Sequence, residues 1–76
     1  MFKILYLPTA AFVSDSNRYV HAQAATREKA EHMLRDYHFY EAWGDAVYLY
    51  RKDLASCHKL PKHLFEVVEV PNANDP

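Results

Sequence analysis

The chain has one glycine and one cysteine in 76 residues, and each shortage closes a class of function. A single glycine, Gly44, leaves no phosphate-cradling loop and no GxSxG turn for a serine nucleophile. Cys57 alone allows no internal disulfide and no four-cysteine zinc site, and a reducing cytoplasmic setting fits it best. Charge of one sign is also missing. Ten acidic and nine basic residues give a net charge of −1, so net charge supports no general attraction to nucleic acid or anionic membrane, and no DNA mimicry. Long hydrophobic runs are absent too. MFKILYLPTAAFV carries one positive charge and breaks at Pro8; it is too short to span a bilayer and reads as a strand, not an export signal.

Half of the residues are apolar and a quarter charged, the balance of a soluble globular domain. At this length folding removes only about 60% of the exposable surface, which suits one small domain with no room for a buried reaction chamber. Residues 1–70 are expected to form it, with 71–76 (PNANDP) as a flexible C-terminal tail.

The most secure element is a helix beginning after Thr26. The Thr26 hydroxyl can cap a free backbone N–H, Glu28 suits the positive end of the helix dipole, and Ala30, Met33, Leu34 and Tyr37 recur at i, i+3, i+4, i+7. Arg27, Glu28, Glu31, His32, Arg35 and Asp36 form the opposite, solvated face, with Glu31 and Arg35 at the supportive four-residue spacing. Residues 37–43 either extend the helix or loop over a sheet, and Gly44 is its natural stop. Phe2 to Leu7 is apolar on nearly both faces and suits a central strand. Ala10 to Val13 returns after a turn at Pro8 and Thr9, and Arg18 to Ala24 extends again after a polar loop at Ser14 to Asn17. Ala46 to Arg51 alternates Val47 and Leu49 against Tyr48 and Tyr50, the best strand pattern in the chain. Leu54 to Lys62 is a connector, and Leu64 to Val70 a final strand. The expected fold is α+β: a mostly antiparallel sheet of about four strands, β-β-α-β-β, packed on one helix, with one sheet face left uncovered.

Five aromatics, Phe39, Tyr40, Trp43, Tyr48 and Tyr50, crowd the junction of helix and strand. Some fill the core, but five cannot all fit under one helix, so Tyr48 with Tyr50, or Trp43 with Tyr40, should stand in an exposed patch or a dimer interface. The connector contributes Arg51, Lys52, Lys59 and Lys62, ahead of the acidic Glu66, Glu69 and Asp75. Partner contact through Tyr40, Trp43, Tyr48 and Tyr50, oriented by those four cations, is the favoured use. Tyrosines beside lysines also suit RNA or single-stranded DNA, although no GF(G/A)F pattern is present. A self-assembling structural subunit is the third reading.

Metal binding through Cys57, His58 and His63 lacks the CxxC or HExxH spacing, and His32 and His38 fall on different faces of a helix. Cys57 and His58 are neighbours in sequence, which does not bring a nucleophile to its base. No catalytic residues, metal ligands or cofactor are assigned, and no enzyme activity.

The succession FKILYLPTAAFV, ATREKAEHMLRDY, AVYLYRKD, LPKHLFEVVEV resembles the small accessory proteins encoded by tailed bacteriophages, over most of the chain. The resemblance implies a protein of the host cytoplasm that binds and redirects or inhibits a host or defence protein. It carries no functional motif onto any residue here.

Overall fold

A computed structural model describes residues 1–16, 20–42, 44 and 46–71, with Val20 described by its backbone alone. Trp43, and the tail expected over 71–76 apart from Pro71, lie outside the described residues. The protein is a small α+β domain with one helix, but the strands form two four-stranded sheets instead of one. The elements are β1 (Phe2–Tyr6), β2 (Ala11–Phe12), β3 (Ser14–Asp15), β4 (Val20–His21), β5 (Gln23–Ala24), α1 (Arg27–Asp36), β6 (His38–Glu41), β7 (Val47–Tyr50) and β8 (Phe65–Glu69). A single 3₁₀ turn, Lys62–Leu64, precedes β8.

In the first sheet β1 is central, as its two apolar faces suggest. The whole of β8 pairs along one edge, while β2 and β5 share the other: Leu5 faces Phe12 and Lys3 faces Gln23. The second sheet runs β4-β3-β7-β6, antiparallel except where β3 lies parallel to β7. The two sheets are joined because 11–15 and 20–24 each cross from one to the other. At the crossing, the Val13 amide donates to the Ile4 carbonyl and the Ala22 amide to the Val13 carbonyl, both at 2.9 Å. All three side chains there are fully or almost fully buried. The free edge of β6 is met in turn by the connector, where Tyr40 bridges to Lys59 and the Leu60 amide donates to the Phe39 carbonyl. The hydrogen-bonded path therefore nearly returns on itself, which leaves few open edges.

The core fills the space so enclosed: Ile4, Tyr6, Val13, Ala22, Phe39, Val47, Leu49 and Phe65. Phe65 is its hub, with ring centroids 4.5 Å from Phe39 and 5.1 Å from Tyr6. Met33, Leu34 and Tyr37 bring α1 against this cluster from the side of the first sheet, where the helix packs on β1, β5 and β8.

The helix start is as the sequence implies, with the Thr26 hydroxyl accepting from the Lys29 amide at 3.2 Å. Its end is earlier than Gly44. Tyr37 is already extended, and His38–Glu41 is a strand paired with β7. Aromatic residues favour strands, and continuing the helix would have taken Phe39 from the core. The Lys62 ammonium fixes the break by donating to the Leu34, Arg35 and Tyr37 carbonyls, three groups a helix end otherwise leaves unpaired. Gly44 serves the turn between β6 and β7 instead, with φ of 62° in the left-handed region. On the polar face of α1, Arg35 pairs with Asp36 and not Glu31, and His32 reaches Asp36 one turn on at 2.9 Å.

Candidate functional site

Cross-strand partners share a face, so register decides what the second sheet shows outward. Phe39 faces Leu49, and both are buried. The opposite face therefore holds Tyr48 between Ser14 and Tyr40, and Tyr50 beside His38. Val47 and Leu49 point in and Tyr48 and Tyr50 out, which settles the choice the alternation left open.

The three tyrosines of this face have different fates. Tyr40 is only 3% exposed because the connector folds over it. Its hydroxyl donates to Asp53 Oδ1 at 2.6 Å and accepts from the Leu54 amide at 2.7 Å, while Lys59 Nζ donates to the other Asp53 oxygen at 2.8 Å. Burial, then the bond to Asp53, raises the Tyr40 pKa. The hydrogen bond from Lys59, then that from Tyr40, holds the Asp53 carboxyl below its ordinary range, and Asp53 raises Lys59 in return. Tyr48 and Tyr50 remain half-buried, with Tyr50 edge-on to Tyr40 at 5.5 Å. Beside Tyr50 lies a half-open cleft of about 420 Å³, lined by Ser16, Tyr50, Arg51, Lys52 and Leu54.

The expected rim of cations is mostly occupied within the fold. Arg51 binds Asp15 through two parallel bonds of 3.0 Å and stacks on Tyr37 at 5.1 Å. Those bonds raise its pKa. Asp15 is 5% exposed, so this forked pair closes one end of the core. Lys59 is committed to Asp53. Lys62 caps the helix and lies 5.0 Å over the Phe39 ring, and burial lowers its pKa. Lys52 is exposed and has no ion-pair partner among the described residues. Of the proposed contact residues, Tyr50, Arg51 and Lys52 line the cleft, Tyr48 shares the sheet face with Tyr50, Tyr40 and Lys59 belong to the bonds that hold Asp53 and Leu54 behind it, and Lys62 lies apart at the helix end.

A second uncovered surface went unread in the sequence. Lys3, Leu5, Phe12, Gln23, Glu66 and Val68 share the outer face of the first sheet, away from α1. The Lys3 ammonium lies 2.9 Å from His21 Nδ1 and 5.2 Å from the Phe12 ring centre. Partial burial, then the neighbouring Lys3, lowers the His21 pKa. The signal was present in Lys3, Leu5 and Leu7, but apolar residues on both faces of a strand look the same whether both faces are covered or one is bare.

Among the described residues, no three His, Cys, Asp or Glu side chains gather as a metal site, and no helix is long and apolar enough to cross a membrane. Cys57 is exposed on the connector. Comparison with protein-family models, with curated proteins and with solved structures gives no match for this chain.

Proposed function

We propose that this protein is a non-catalytic protein-binding module that engages its partner with the outer face of the second sheet. The observation that carries this reading is the division of β7: Val47 and Leu49 complete the core, while Tyr48 and Tyr50 keep part of their rings outside it, Tyr50 beside an open cleft. Tyrosine suits such a role because it offers a large rigid surface with a polar tip and little rotamer entropy to lose. Arg51 is held in place by Asp15, and Lys52 supplies a free charge at the rim. The segment order shared in style with accessory proteins of tailed phages makes a bacterial host or defence protein the partner class to test first.

Nucleic acid has less support. Phosphate contacts need uncommitted cations, and Arg51, Lys59 and Lys62 already have partners within the fold. The test is capture from nuclease-treated bacterial lysate by the tagged chain, set against a folded Tyr48→Ala, Tyr50→Ala double variant. The expected result is a stoichiometric protein held by the wild type and lost by the variant. Equal capture by both would reject this face, and material lost on nuclease treatment would favour nucleic acid.

A further inference from the structure

The outer face of the first sheet carries features that point to a different occupant. The helix packs against the side holding Phe2, Ile4 and Tyr6, so among the described residues the opposite side has no helix or strand packed over it. Register places Glu66, Leu5 and Phe12 in one row across the strands, and Val68, Lys3 and Gln23 in the next. Leu5, Phe12 and Val68 are half-buried, and Leu7, one residue beyond β1, is 47% exposed, the most of any large apolar side chain among the described residues. Charges set in an exposed apolar strip decide what the strip can meet. Here it carries one charge of each sign on a diagonal, Lys3 and Glu66.

We propose that this face is self-complementary and that two copies of the chain associate through it about a two-fold axis. A two-fold axis lying in the plane between the facing sheets, and crossing the line from Lys3 to Glu66 at right angles through its midpoint, brings each Lys3 against the partner's Glu66, twice, while Leu5 and Val68 each cover their own counterparts near the axis. This is the isologous pattern, in which one patch serves both sides of the contact. A partner bearing charge of a single sign would satisfy one of the two and leave the other facing its like. Lys3 is already oriented: His21 Nδ1 and the Phe12 ring hold its ammonium against the face, which reduces the entropy lost on docking. Glu66 is exposed and has no ion-pair partner among the described residues. Lys3, Leu5, Leu7, Phe12, Gln23, Glu66 and Val68 are far fewer than the roughly 20–30 residues a side of a standard interface, so the dimer is weak and concentration-dependent.

The association does not depend on the tyrosine face, which lies on the other sheet. Sedimentation equilibrium of the full chain from micromolar to millimolar concentration reads it directly. The expected result is a mass rising from one chain to two, with Lys3→Glu and Glu66→Lys each weakening dimerisation by about tenfold or more. An equimolar mixture of the two folded variants should regain wild-type affinity, because each supplies the charge the other has lost. Both variants alter exposed or half-exposed side chains, and circular dichroism confirms that they fold. A wild type that stays monomeric throughout, a dimer indifferent to both substitutions, or a mixture no stronger than its components would each overturn the proposal.

Discussion

The outer faces of the two sheets are finished in opposite ways. Over the second sheet the connector folds back, roofs Tyr40 and stops short of Tyr48 and Tyr50. Over the first sheet no described segment returns, and Leu5, Phe12 and Val68 stand half-buried beside Lys3 and Glu66. The roof is held by charge: Asp53 joins Tyr40 to Lys59, and at its root Arg51 joins Asp15. A run of basic residues that looks like a rim for a partner is thus largely a set of internal fasteners. The aliphatic face, built of ordinary strand formers, is the one that carries charges of both signs outside any ion pair among the described residues.

The comparison can be tested in order of effect. The greatest expected change comes from Phe39→Ala, which empties a fully buried position beside Phe65, where the two sheets share a core. A loss of about 3–5 kcal/mol is expected in urea denaturation, with both sheets melting in one transition. Separate transitions would show two cores instead of one. Asp15→Ala leaves the Arg51 guanidinium without its buried partner. Because Arg51 is partly in solvent, we expect about 2 kcal/mol, below the cost of breaking a wholly buried pair.

Tyr40→Phe sharpens the contrast, since it keeps the ring and deletes only the hydroxyl that binds Asp53 and the Leu54 amide. Amide exchange at Leu54 should quicken by about tenfold while exchange in β1 and β8 stays at its wild-type rate. Uniform acceleration would mean that the roof and the core open together. The smallest effect is that of acid. Asp53 has a folded pKa below its unfolded value, so its contribution is complete above the ordinary carboxylate pKa of about 4 and disappears as pH falls through the lower, folded value. Connector amides should therefore lose protection below about pH 4, ahead of those in β1, and Asp53→Asn should remove that pH dependence.

Much of the architecture could be read from local pattern. The Thr26 cap, the stripe of Ala30, Met33 and Leu34, and the alternation of Val47 to Tyr50 are each decided within a few residues, and each stands as expected. Where the helix ends was not decided locally. Residues 37–41 are compatible with helix or strand, and the choice rests on Phe39 finding Phe65 and on Lys62 reaching back to the helix carbonyls from a distant turn. The division into two sheets was equally hidden, because it depends on two short strands changing partners at Val13 and Ala22. At the site, the separation of Tyr48 and Tyr50 from Val47 and Leu49 was legible as a period of two, but not which pair faces the core. The inward fate of Tyr40, on the same face, was not, because the cover comes from Asp53, Leu54 and Lys59, whose role no pattern around Tyr40 reveals.

The partition of the tyrosines is the point on which the rest depends, and it can be measured without a partner. Tyrosine nitration of the native protein, followed by peptide mass spectrometry, reports which rings are open to reagent. The structure predicts that Tyr48 and Tyr50 are modified promptly, whereas Tyr6 and Tyr40 react only when the chain is unfolded. Tyr40 reacting as fast as Tyr50 in the native protein would contradict the account, because the connector would then not be the roof that separates a structural tyrosine from two available ones.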